Sequence, residues 1–192
     1  MSSFSQYLSE RFPVVPYLVL IGAMVAGASA AAVMATGDPV PLSWPQVICV
    51  FTILFGFFHL RVFDEHKDYD KDVLAHPGRV LSRGLITLKD LRVAGLVAVT
   101  LEVCLNIPLG MHAISWVCSF ILFSVAMRFE FGISEWLNQH LVIYAISHNP
   151  IVALMMCYVM AVASGGLVFS APVLWFLAVA TLTSLGFELG RK

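Results

Sequence analysis

Charge is what this sequence has least of. Only 12% of its 192 residues are Asp, Glu, Lys or Arg, where a soluble domain carries roughly 25%. Hydrophobic residues make up 59% and the mean hydropathy is +0.88, which excludes an ordinary soluble globule, since such a fold could not keep that much apolar surface from water. Paired cysteines are missing as well. Cys49, Cys104, Cys118 and Cys157 fall singly within apolar runs, so neither a disulfide framework nor a thiolate zinc site is implied, and they read as small packing residues. A cleavable leader is also not indicated. The first apolar run contains Ala28-Ser29-Ala30, but at 22 residues it is too long for a signal h-region and reads as a retained span. Nucleic acid is not expected as a partner.

Long apolar runs are abundant. Segments long enough to cross roughly 30 Å of hydrocarbon occur at Val14–Ala35, Leu42–Leu60, Val93–Leu105, Gly110–Met127, Leu141–Ala163 and Pro172–Leu189. The Asn106-Ile107-Pro108-Leu109-Gly110 stretch reads as a tight helical hairpin. Six crossings put the N-terminus, 61–92, 128–140 and the C-terminus on one side. All eleven basic residues (Arg11, Arg61, Lys67, Lys71, Arg79, Arg83, Lys89, Arg92, Arg128, Arg191 and Lys192) then fall on that side and none on the other. By the positive-inside rule that side is cytoplasmic. The fold class expected is therefore all-α, a polytopic transmembrane helical bundle.

Most of the charge gathers in one segment, 61–92. If the second helix runs on past the membrane edge, Asp64, Asp68 and Asp72 repeat at i, i+4 and i+8 and share a face. Like charges at that spacing repel by a few tenths of a kcal/mol per pair, so a bound cation is the natural complement. Hard carboxylate oxygens are what Mg²⁺ takes, together with water and phosphate oxygens. Arg79 and Arg83 follow closely, and a guanidinium fork suits phosphate. The plainer alternative is a solvated charged loop. Lys67 and Lys71 are expected on another face, tuning local charge or meeting lipid headgroups.

The segment resembles the first aspartate-rich motif of the UbiA-type intramembrane prenyltransferase superfamily, Asn-Asp-x-x-Asp-x-x-x-Asp followed by Arg-Pro-Leu-x-x-Gly. Asp64 stands at the Asn position and Glu65 at the first Asp; Asp68 and Asp72 match directly, and Arg79, Leu81 and Gly84 keep the later spacing, with Val80 in place of Pro. The resemblance implies a Mg²⁺-dependent transfer of an isoprenoid group from a polyprenyl diphosphate to a lipophilic, commonly aromatic, acceptor in the membrane. It implies Asp64, Asp68 and Asp72 as catalytic through the metal, with Glu65 a further ligand, and Arg79 and Arg83 holding the diphosphate. Members have about nine spans, each of about 20 apolar residues, so residues 1–192 correspond to the N-terminal two thirds of one domain. Glu188 then stands where the second acidic motif begins, as in a truncated member.

Other polar residues lie at membrane depth. Glu102 reads either as a carboxyl hydrogen-bonded to another helix, through Asn106 one turn on, or as a substrate contact. His140, Tyr144 and His148 form a second i, i+4, i+8 stripe, which either lines a polar pocket below the metal site, making His148 a substrate contact, or bonds helix to helix. Pro150 is expected to kink the fifth span. Two readings compete with the enzyme: a non-catalytic protein of the same fold that binds lipid or a partner, and a cation transporter, which calls for carboxylates within the spans, where only Glu102 qualifies. The 128–140 segment offers no recognisable motif.

Overall fold

The computed structural model describes residues 2–37, 43–166 and 169–191. Leu42, where the second span was expected to start, lies outside them. Among the described residues there is no strand, and six helical segments are long and apolar enough to cross a membrane. They are α2 (Val14–Thr36), α3 (Trp44–Lys67), α5 (Leu88–Asn106), α6 (Met111–Arg128), α8 with α9 (Leu141–His148 and Pro150–Ser164) and α10 (Ala171–Arg191). Three short helices flank them: α1 (Ser3–Arg11), α4 (Tyr69–Ala75) and α7 (Ser134–Gln139).

Helix boundaries follow local chemistry. α5 begins at Leu88, ahead of the Val93 expected from apolarity alone, because Thr87 and Asp90 form a capping box. Thr87 Oγ1 accepts the Asp90 N–H at 3.2 Å and Asp90 Oδ2 accepts the Thr87 N–H at 2.9 Å. Orphan first-turn donors are thereby satisfied in a charged stretch that hydropathy scores against. The expected hairpin is present as a single 3₁₀ turn, Ile107–Leu109, closed by Gly110 at φ +88°, a backbone region open to glycine. At Pro150 the fifth span divides, since proline has no N–H to bond back into α8, and Asn149 bridges the break by donating to the Thr181 carbonyl of α10 at 2.7 Å.

α9 is the centre of the bundle. Met155 through Ala161 are all buried, so the helix is apolar around its whole circumference, as a helix enclosed by others must be; α2, α3, α6 and α10 pack round it. α3 and α5 form the most extensive pair. Their approach passes over Gly95, where an added Cβ would sit 3.0 Å from Val62 Cγ1. Small residues at such crossings let helices near each other where no hydrophobic driving force acts between them in lipid.

Two polar networks pin these helices. Glu102 Oε1 lies 2.6 Å from His59 Nδ1 and His59 Nε2 lies 2.9 Å from Ser124 Oγ, linking α5, α3 and α6, all three side chains fully buried. One turn away, Asn106 Nδ2 donates to Thr52 Oγ1 at 2.9 Å and Tyr158 Oη donates to Asn106 Oδ1 at 2.7 Å, linking α5, α3 and α9. Of the two readings of Glu102, the helix-to-helix bond is the one observed, with His59 rather than Asn106 as the side-chain partner.

Candidate functional site: a charged cavity at one end of the bundle

α3 stops at Lys67 and α4 starts at Tyr69, with Asp68 (φ −100°, ψ 8°) capping both. The single extended helix expected here is therefore broken. Its hydrogen-bond register is not: the Asp68 N–H donates to the Asp64 carbonyl and the Asp72 N–H to the Asp68 carbonyl, each at 2.9 Å. Because the i→i−4 pattern continues across the break, Asp64, Asp68 and Asp72 still point one way. All three line one cavity of about 420 Å³, together with Arg11, Arg61, Lys67, Arg79, Tyr144 and Glu188. Arg79, on the turn after α4, and Glu188, near the end of α10 and more than a hundred residues further along the chain, thus meet the aspartates in one cavity. Arg83 is exposed and lies outside this cavity.

Glu65 takes a different direction. It is buried at 3% exposure and faces α1, where Arg11 Nε donates to its Oε1 at 2.6 Å. Arg11 spans two acids, since its Nη2 also donates to Asp72 Oδ2 at 3.1 Å. Arg79 Nη1 lies 2.9 Å from that same oxygen, an ion pair without hydrogen-bond alignment. α1 is held to the motif by a second contact, the Val80 N–H donating to Glu10 Oε2 at 3.0 Å. A proline at position 80 could not make it. Tyr7 is fully buried beneath, and burial, with the Glu65 carboxylate adding to it, holds its phenol well above the ordinary range.

Lys67 belongs to the cavity rather than to a separate lipid-facing side. Three residues from Asp64, it is a neighbour on the same helical surface. Its Nζ donates to Tyr144 Oη at 2.6 Å and forms an ion pair at 2.6 Å with Glu130 Oε1, while Asn138 Nδ2 donates to Glu130 Oε2 at 3.1 Å. Glu130 is buried at 4% exposure, and both it (φ +48°) and Phe131 (φ +54°) occupy the left-handed region. Such strain in two successive non-glycine residues persists only where surrounding contacts dictate it. Through the Lys67–Glu130 pair, and through Asn138 in the cavity lining, the 128–140 segment is tied to α3 beside the acidic face, a contact without a sequence signal.

Of the second stripe, Tyr144 and His148 stay together, their rings stacked with centroids 4.0 Å apart. His148 lines a smaller cavity of about 30 Å³ with Asp64, Lys67, Tyr144 and Ser124, next to the acidic cavity rather than in it. His140 is exposed and stacks on Trp136, so it leaves the stripe. Arg11, Arg61, Lys67 and Glu130 are the charged residues of the site that sequence reasoning missed. For Lys67 the i+3 spacing from Asp64 was the available signal; for Arg11, only its being the one cation ahead of the first span.

The donor chemistry fits a hard divalent cation in part. The Asp64 and Asp68 carboxylates open onto the cavity, and no hydrogen bond or ion pair engages the Asp68 side chain among the described residues. Mg²⁺ needs only one or two carboxylates when water and phosphate complete its octahedron. An all-protein cage is not formed, for no three His, Cys, Asp or Glu side chains converge at ligating distance among the described residues.

The class of molecule is thus an integral membrane protein, helical with six spans among the described residues, that carries an acid-rich, arginine-rimmed cavity at one end of its bundle. Its fold matches that of a membrane prenyltransferase of known structure. The chain is similar to the solved structure of a digeranylgeranylglyceryl phosphate synthase with a TM-score of 0.71, at 16% identity, over 100% of this chain and 63% of that one. It therefore spans less than two thirds of that neighbour's length. No family model and no curated protein matches it by sequence.

Proposed function

We propose that the chain carries out Mg²⁺-dependent transfer of a prenyl group from a polyprenyl diphosphate to a lipophilic, aromatic acceptor within the membrane. One observation supports this above the rest: in a bundle with a prenyltransferase fold, a single cavity is lined by Asp64, Asp68, Asp72, Arg79 and Glu188 together. Asp64 and Asp68 hold the cation, joined by Asp72, with Glu188 facing them. Mg²⁺, when bound, neutralises charge on the departing diphosphate. Arg79 and Lys67 bind the same group electrostatically, so the allylic C–O bond breaks with its electron pair leaving on the diphosphate, and the acceptor bonds to the freed carbon and sheds a proton. The apolar bundle below the cavity keeps water from the cation that forms. Following the one-sided basic residues, this end of the protein faces the cytoplasm.

The test is diphosphate release by the purified protein from farnesyl or geranylgeranyl diphosphate in Mg²⁺ with a lipophilic phenol supplied as acceptor. Release is expected, with its loss in EDTA and in Asp68→Ala and Asp72→Ala. Unchanged turnover in those two variants overturns the reading. A second reading, a non-catalytic protein of the same fold that binds a diphosphate lipid, draws support from Asp72, whose Oδ2 is already taken by two guanidinium groups. Metal-dependent binding without release selects it.

A further inference from the structure

Cations and acids are interleaved in this cavity before any ligand enters. Arg11, Arg61, Lys67 and Arg79 line it with Asp64, Asp68, Asp72 and Glu188, and two of the cations are also paired with acids behind the lining, Arg11 with Glu65 and Lys67 with Glu130. Asp72 is engaged twice, with Arg11 Nη2 at 3.1 Å and Arg79 Nη1 at 2.9 Å on one oxygen. Arg11 comes from outside the motif. It is carried by α1, whose position is fixed by Glu10 on the Val80 N–H, by the buried Tyr7 and by Phe12, which packs edge-on against Phe58 of α3 with centroids 5.3 Å apart. Its Nε is committed to Glu65 at 2.6 Å, so the guanidinium is oriented while its Nη groups remain at the cavity wall, at 18% exposure.

We propose that Arg11 is a diphosphate-binding latch. In the ligand-free protein it shares Asp72 with Arg79; an incoming diphosphate draws both guanidinium groups onto its own oxygens and sets the Asp72 carboxylate free to take part in cation binding. This rests on the diphosphate reading above and adds to it a residue and an order of events. The physical reason is competition for the same donors. A guanidinium fork suits a phosphate as well as a carboxylate, and a diphosphate carries more charge than one Asp, so it wins the two arginines. Until then Asp72 offers a cation little. Diphosphate affinity and cation affinity are therefore linked through one side chain, and couplings of this kind typically amount to about 5- to 150-fold.

Removing the Arg11 guanidinium acts in opposite directions on the two ligands taken separately, which a purely structural role of Arg11 would not produce. Binding is measured on the full chain in detergent, with inorganic pyrophosphate in EDTA by calorimetry and with Mn²⁺ alone by paramagnetic resonance of the free ion. The separate titrations remove the complex that the two ligands form in solution. Arg11→Gln is expected to weaken pyrophosphate binding about tenfold and to tighten Mn²⁺ binding several-fold, and the Mn²⁺ gain is expected to vanish in Arg11→Gln/Asp72→Asn, which excludes the freed Glu65 as the new ligand. Arg11→Lys keeps a point charge but cannot span Glu65 and Asp72 together; it should lose less pyrophosphate affinity while keeping the Mn²⁺ gain, and it serves if the glutamine variant fails to fold. The latch is overturned if Arg11→Gln or Arg11→Lys leaves Mn²⁺ binding unchanged or weaker, or if wild type binds pyrophosphate and neither variant alters it. Wild type that binds no pyrophosphate, with or without Mn²⁺, overturns the diphosphate reading itself and the latch with it.

Discussion

His59→Leu is expected to cost the protein more stability alone than in combination with Glu102→Leu. The Glu102 carboxyl is fully buried; its Oε1 is held by His59 Nδ1 at 2.6 Å, and its Oε2 has no partner. Removing His59 therefore strands the whole group between α3 and α5, and an orphaned buried polar group costs about 1–3 kcal/mol. Loss of the interhelical bond adds about 0.6 kcal/mol, the average found in a membrane bundle, giving about 2–3.5 kcal/mol for the single change. Ser124 does not add to this, since its hydroxyl still donates to the Ile121 carbonyl at 2.7 Å. In the double variant both polar groups are gone and two leucines meet in an apolar setting, so the cost should fall to about 1 kcal/mol or below, as when buried pairs are replaced by packed apolar residues. The assay is a double-mutant cycle on reversible unfolding in mixed micelles, with Glu102→Leu as the fourth corner. An interaction energy of at least about 1.5 kcal/mol is expected; effects that add to within about 0.5 kcal/mol, as independent sites do, would refute the account of this network.

Three other outcomes are expected. Gly95→Ala should destabilise by about 1–3 kcal/mol because its Cβ meets the stiff, β-branched Val62 at 3.0 Å, whereas Gly56→Ala should be milder because Met155 Cε, at 3.2 Å, can swing aside; thermal unfolding that ranks them the other way contradicts this. Glu130→Ala should cost about 2 kcal/mol, since it leaves Lys67 with Tyr144 alone and keeps a Cβ at φ +48°, and a melting temperature within experimental error of wild type would show that the ion pair does not hold the 128–140 segment. Cysteines placed at Lys89 and Pro108, both exposed and at opposite ends of α5, should react with a membrane-impermeant maleimide from the cytoplasmic and the opposite side respectively; the reverse pattern would invert the topology.

The spans could be read from the sequence because a run of apolar residues at 1.5 Å rise per residue needs no knowledge of its neighbours, and four of the five starts that fall on described residues lay within a few residues of the helices observed. The exception, α5, starts early on a capping box that hydropathy does not register. The acidic face was legible for the same local reason: a period close to 3.6 puts Asp64, Asp68 and Asp72 together, and the unbroken hydrogen-bond register carried that alignment through the break at Asp68. Lys67 was misplaced because adjacent positions were assigned to opposite faces too sharply, when i+3 is a neighbour.

What the sequence by itself determined is the set of membrane-length helices and the stripe of carboxylates, both of which follow from spacing along the chain. Only the tertiary structure decided which polar groups meet. Arg11 reaches Asp72 across 61 residues, and His59 reaches Ser124 across 65. A buried charge takes whichever partner the packing of helices brings within 3 Å, and that packing is set by apolar contacts far from the charges themselves. Glu65 shows the difference most plainly: one position along from Asp64, it turns about 100° round the helix and becomes the anchor of α1, while its neighbour faces the cavity.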